Sequence, residues 1–228
     1  MDKQLERSIG LLGENNYKRI EDKTICVIGL GGVGGTALEA LVRTGFKKFI
    51  IIDFDKVDSS NLNRQILYTQ DDVSNLKVKA AKRRVLSINK EAEVKEFNIK
   101  VEENSLKVLN DYQIDFIIDA IDDVKGKVAL AKYALDRNIS LVVSLGMANR
   151  YDPSQVRIQR LDKTTEDPLA KKLRYEVKKA GLDAKQIYAC VSKEKPVQDG
   201  TKLNSIMTVP SSAGLNIAYY CINYFKEN

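Results

Sequence analysis

Along this chain, short unbroken apolar runs alternate with longer stretches whose apolar residues recur three and four positions apart. Residues 24–28 and 49–53 are runs of the first kind, and Ala37, Leu38, Ala40, Leu41 and Val42 between them form a helical stripe that stops at Gly45. The alternation continues, predicting a helix over 77–88, strands over 93–99 and 116–119, a helix over 127–136 and a strand over 139–144. Ahead of the first strand, residues 2–20 have the spacing of one amphipathic helix. Such repetition favours parallel strands joined by right-handed crossovers, with helices over both sheet faces.

After Asp152-Pro153 the texture changes. Residues 156–160 alternate like a half-exposed strand, 167–180 read as a helix, 187–192 and 206–209 as strands, and 213–225 as a last helix. The expected fold class is α/β: a Rossmann-like, mostly parallel sheet with helices on both faces, completed by antiparallel strands from the C-terminal half. No internal repeat or low-complexity linker divides the chain, and 228 residues suffice for one large domain. Residues 1–228 are therefore expected to form a single domain, with 1–150 as its nucleotide-binding half and 151–228 as a half serving substrate and dimer contacts.

The first strand runs into Gly29-Leu30-Gly31-Gly32-Val33-Gly34-Gly35. Gly29, Gly31 and Gly34 fit G-x-G-x-x-G between a strand and a helix. There the missing side chains let phosphate approach the backbone, and free helix N–H groups attract it. The same glycines would also serve close helix–sheet packing. Asp53 ends the next strand, where a carboxylate accepts hydrogen bonds from ribose hydroxyls. These features suit NAD and ATP alike. The residues that follow favour ATP, because a triphosphate carries about four negative charges and needs side-chain cations and usually magnesium. Arg64 and Lys77 can supply the cations and Asp122 a metal ligand. Taken singly, Arg64 reads equally as a surface ion pair and Lys77 as a solvated helix start.

Composition narrows the chemistry further. There is no histidine, which removes histidine general catalysis and histidine metal sites. Cys26, Cys190 and Cys221 form no C-x-x-C pair, so neither a disulfide framework nor a four-cysteine zinc site is expected. No apolar run approaches a membrane span, and the first sixteen residues lack the apolar core of a signal peptide, so a cytoplasmic protein is expected. The net charge of +6 suits a polyanionic partner and equally a solvated lysine-rich surface. Lys171, Lys172, Arg174, Lys178 and Lys179 fall on one predicted helix, with Arg157 and Arg160 nearby in sequence, and could contact RNA phosphates.

Arg7, the GLGGVGG turn, DFDKVDSSNLNRQ, Lys77, INKEAEV and IDAIDD occur in the order that marks the adenylating superfamily of ubiquitin-activating enzymes and bacterial sulfur-carrier activators. The chain resembles that superfamily over about residues 5–145. The resemblance implies that Gly29, Gly31, Gly32 and Gly34 line the phosphates and Asp53 holds the ribose. It implies that Asp55, Asn61, Arg64, Gln65 and Lys77 contact the nucleotide, and that Asp122 binds Mg2+. Arg7 would reach into the active site of a second subunit, so a homodimer is implied. The residues expected to be catalytic are thus Arg7, Arg64, Lys77 and Asp122.

In the second half, residues 151–156, 163–174, 191–196 and 205–210 resemble the tRNA threonylcarbamoyladenosine dehydratase branch. That branch implies ATP-dependent adenylation of a carboxylate on a modified tRNA, followed by ring closure, with tRNA as partner. Two features depart from the pattern: the turn over residues 145–150 and a short segment between Pro196 and Ile206. The resemblance also leaves room for a sulfur-transfer protein partner. Three rival readings are an activator of a ubiquitin-like sulfur carrier, an NAD-dependent oxidoreductase and a nucleotide-binding regulatory module. Cys190 lies near the region where carrier activators place a reactive cysteine, but its surroundings read as those of a buried structural thiol.

Overall fold

The computed structural model describes residues 3–197 and 202–227. β1 (Thr24–Ile28) pairs in parallel with β2 (Lys48–Ile52) on one side and β4 (Phe116–Asp119) on the other. β3 (Glu93–Phe97) extends the sheet beyond β2, and β5 (Ser140–Ser144) extends it beyond β4, both in parallel. β7 (Tyr188–Ser192) is parallel to β5, and β6 (Val156–Arg160) closes the edge antiparallel to β7. The order is β3-β2-β1-β4-β5-β7-β6, so strands from both halves of the chain share one sheet. The strand order reverses between β1 and β4, and a crevice opens there at the strands' carboxyl ends.

The two-residue period of the strands divides the core. Ile25, Val27, Phe49, Ile51, Phe116 and Ile118 face α3 (Gly32–Thr44), α4 (Lys77–Ile88) and α7 (Thr208–Glu227). Cys26, Ile28, Ile50, Ile52 and Ile117 face α5 (Val124–Asp136) and α6 (Pro168–Lys179). Both faces are covered, and so the central strands are apolar except at their ends. Among the described residues no helix is long and apolar enough to cross a membrane.

Two sequence expectations are corrected. Residues 2–20 do not form one helix: α1 (Glu6–Leu12) and α2 (Glu14–Glu21) meet at Gly13, whose φ of 81° breaks the helical path. Residue 2 lies outside the described residues. The strand expected at 206–209 is absent, because Thr208 and Val209 open α7, with Pro210 in its first turn where a missing N–H costs nothing. A short apolar run is ambiguous by period alone, and burial of Val209 under the sheet decides the outcome. Part of the segment between Pro196 and Ile206, residues 198–201, lies outside the described residues.

One charge cluster ties α3 and α4 together. Glu39 on α3 accepts hydrogen bonds from Arg43 and, across the helix pair, from Arg84 on α4. Burial alone would push the Glu39 carboxyl up, but the hydrogen bonds and charges of Arg84 and Arg43 outweigh it and hold it below the ordinary value. A carboxyl depressed in the folded state stabilises above its unfolded pKa, and this stabilisation is lost as pH falls through its folded pKa. Thermal unfolding followed below pH 4.5 should therefore show a steeper acid decline for the native chain than for Glu39→Gln.

Candidate active site

The crevice holds a cavity of about 560 Å³. Its floor is the end of β1 and the turn into α3. Gly29 has φ 86°, and a Cβ there would sit 2.6 Å from the Ala120 carbonyl oxygen, so the close approach of β1 and β4 requires glycine. Gly31 and Gly32 line the cavity, and α3 begins at Gly32 with no side-chain cap. Its first amides are left for a ligand in the cavity. Gly34 has a different role: it does not line the cavity, and a Cβ there would fall 1.9 Å from the Gly29 carbonyl oxygen. It lets α3 pack on the turn.

Asp53, Asp55, Asn61, Arg64, Gln65, Lys77 and Asp122 all border the same cavity. Asp53 follows β2 directly and is 8% exposed. Its carboxylate accepts from the Leu30 N–H at 2.7 Å and the Asp55 N–H at 2.8 Å. Burial pushes its pKa up, and the Lys77 charge and both amides oppose that rise. Lys77 opens α4 but is neither solvated nor on the surface: it is 6% exposed and its Nζ lies 2.8 Å from an Asp55 carboxylate oxygen. Arg64 is not a surface ion pair either. It donates through Nη1 to the Ser60 carbonyl at 2.9 Å and the Asn63 side-chain oxygen at 2.8 Å, which among the described residues leaves its other guanidinium donors free. Asn61 accepts from the Asp58 N–H with its side-chain oxygen. Gln65 is 5% exposed and its Oε1 has no hydrogen-bond partner among the described residues. A buried acceptor of this kind is satisfied by a donor arriving in the cavity.

Asp122 and Asp123 follow β4 on a turn that Asp119 shapes. Asp119 Oδ1 accepts from the Ile121 N–H at 3.1 Å and from Lys127 Nζ at 2.9 Å, and both ionic side chains are fully buried. Asp123 caps α5 through the Gly126 N–H, which starts that helix three residues earlier than its apolar stripe suggests. The Asp122 side chain is exposed at the cavity rim.

Sequence reasoning missed Phe54, Ile99, Lys100, Val101 and Ile121, which also line the cavity. Ile99 to Val101 follow β3, and only the pairing of β3 with β2 carries them there. Arg7 lies on α1, exposed and outside the cavity. Cys190 is buried, with its thiol pushed up to about 12 by desolvation and its sulfur 3.7 Å from the Ala213 carbonyl oxygen. That is the setting of an inert packing residue. Among the described residues no three His, Cys, Asp or Glu side chains converge as a metal cage.

The model of the ThiF family matches residues 4–225. The chain belongs to the ThiF family. Among relatives of this ThiF-family chain, the tRNA threonylcarbamoyladenosine dehydratase of Bacillus subtilis is 36% identical over 194 residues, covering 85% of this chain and 76% of the relative. The solved Escherichia coli tRNA N6-threonylcarbamoyladenosine dehydratase in complex with AMP superposes with a TM-score of 0.94 at 31% identity, covering 99% of this chain and 94% of that one. The same enzyme in complex with ATP gives 0.93 at 32%, with the same coverage. The resemblance read from the motifs therefore holds for both family and fold.

Proposed function

We propose that this chain is an ATP-dependent tRNA threonylcarbamoyladenosine dehydratase acting in the cytoplasm. The observation that carries the reading is the convergence of the glycine turn, Asp53, Arg64, Lys77 and Asp122 on one cavity. Relatives of the same length class bear this activity in their names, and a solved one holds ATP and AMP. That favours ATP over NAD as the nucleotide.

A free carboxylate is a poor acyl donor because its oxygen leaves badly. In the proposed reaction the carboxylate of the threonylcarbamoyl group attacks the α-phosphorus of ATP, and pyrophosphate leaves. The amides of the glycine turn cradle phosphate, Asp53 receives the ribose hydroxyls, and Arg64 and Lys77 absorb charge as pyrophosphate departs. A nucleophilic atom of the same substrate then attacks the acyl adenylate, the ring closes and AMP leaves. No enzyme nucleophile is needed, in keeping with the buried Cys190. The cavity fits Mg2+: Asp122 presents an uncommitted carboxylate, and Mg2+ commonly takes one or two carboxylates with phosphate and water oxygens. Bound there, it would neutralise phosphate charge.

Incubation with ATP and tRNA bearing threonylcarbamoyladenosine, followed by nucleoside mass analysis, tests the reading. Loss of one water from that nucleoside is expected. ATP-dependent pyrophosphate exchange that requires a small carrier protein and ignores tRNA would overturn it.

The position of Arg7 supports a homodimer with shared sites, since within one subunit it does not reach the cavity. Arg7→Ala and Arg64→Ala should each be nearly inactive alone. Mixed heterodimers should regain up to about a quarter to a half of native turnover, because one of their two sites is intact. Verified heterodimers without recovery would show that Arg7 acts elsewhere.

A further inference from the structure

α6 buries Ala170, Leu173 and Val177 against the sheet. At 100° per residue, Lys171, Lys172, Tyr175, Lys178 and Lys179 fall within a stripe of about 120° on the opposite side. All five are exposed, and the Tyr175 ring, at 65% exposure, stands in the middle of the stripe. None of the four lysines is paired with a carboxylate among the described residues. Two arginines of the region are already engaged. Arg174 donates to the Thr164 carbonyl and hydroxyl, and Arg160 is paired with Asp162.

The surface connects this stripe to the reaction site. A depression of about 790 Å³ shares Lys100, Val101 and Asp123 with the nucleotide cavity and reaches Lys125 and Ala180. A second, of about 340 Å³, carries on from Lys125 and Ala180 to Glu176 and Lys179 at the end of α6. Unpaired lysines around an exposed aromatic ring are what a single-stranded or looped RNA engages, with ammonium groups on phosphates and the ring on an unstacked base.

We propose that the Lys171-Lys172-Tyr175-Lys178-Lys179 stripe of α6 is the docking track for RNA flanking the modified nucleoside, which then enters the cavity past Lys125 and Lys100. The proposal rests on the reading that tRNA is the substrate. It assigns phosphate contact to the lysines and base stacking to Tyr175.

The test uses the full chain with tRNA carrying threonylcarbamoyladenosine, its binding measured across a salt series. Two variants are compared: Lys171→Gln with Lys172→Gln, Lys178→Gln and Lys179→Gln, and a charge-matched control, Lys18→Gln with Lys79→Gln, Lys90→Gln and Lys95→Gln. The α6 variant should bind at least about tenfold more weakly and lose about three from the slope of log K against log salt. Its ATP affinity and melting temperature should match the native chain, and the control should stay within about twofold. Tyr175→Ala should weaken binding about 5- to 100-fold at unchanged slope, with recovery in Tyr175→Trp. If the native chain binds and dehydrates tRNA while the α6 variant keeps its affinity and slope, the track is refuted and the proposed activity stands. If the native chain neither binds nor dehydrates tRNA, both fall. If the α6 variant instead loses an acidic protein partner and keeps tRNA, the stripe serves that partner and the proposal is overturned.

Discussion

Lys77→Met should lower ATP-dependent turnover roughly 30- to 1000-fold, the equivalent of about 2–4 kcal/mol for one charge contact to a developing anion. The size of the effect follows from the geometry. Lys77 is almost fully enclosed, its ion-pair partner among the described residues is Asp55, and it borders the cavity. Asp55 keeps a half-exposed side chain, so losing Lys77 leaves that carboxylate in water and costs the fold little. The Asp53 carboxyl would rise further, since the Lys77 charge is the largest influence holding it down. Pre-steady-state measurement of pyrophosphate release should therefore show the deficit in the adenylation step, with melting temperature nearly unchanged. Turnover within about threefold of native would remove Lys77 from the reaction.

Lys127→Met is expected to be the most damaging single change to stability, about 3–5 kcal/mol, because it leaves a buried carboxylate without its counter-ion. Asp119 and Lys127 are both 0% exposed, and Asp119 Oδ2 has no hydrogen-bond partner among the described residues. Burial pushes the Asp119 carboxyl up even with Lys127 opposing it. A carboxyl raised in the folded state binds protons more readily there than in the unfolded chain, so the loss should shrink as pH falls toward the folded pKa. Urea denaturation of Lys127→Met at several pH values should show its deficit greatest at neutral pH. The double change Lys127→Met with Asp119→Asn should recover part of it by removing the orphaned charge. A deficit independent of pH would place the cost in packing, not in the ion pair. Because Asp119 also holds the turn that carries Asp122, the single variant should lose activity before it loses its fold.

The regular part of this structure was readable from residue pattern because it depends on local rules. Unbroken apolar runs such as residues 24–28 and 116–119 become strands buried on both faces, and the stripe after the glycine turn becomes α3. Expectations failed where one residue overrode the period, as Gly13 does between α1 and α2, or where an apolar run was too short to show one, as at 206–209. Within the site, motif residues near β1, β2 and β4 could be named because each follows a strand end directly. Lys100 and Val101 could not, since β3 reaches the cavity only through its partnership with β2. Gly34 shows the opposite limit: it satisfies the phosphate-binding spacing, yet it lies outside the cavity lining, and the space a side chain would need is taken by the Gly29 carbonyl.

The packing of α7 has a consequence for the order in which the molecule can mature. Gly214 lies against the Val33 carbonyl and Thr36, and Ala213, Ile217 and Phe225 share the apolar cluster that buries Leu38 and Leu41. The helix that opens with the glycine turn is thus clamped by α7, which is made long after it. A growing chain that has already made β1, α3 and β2 still exposes that flank, and it cannot hold a rigid nucleotide site until α7 has been made and packed.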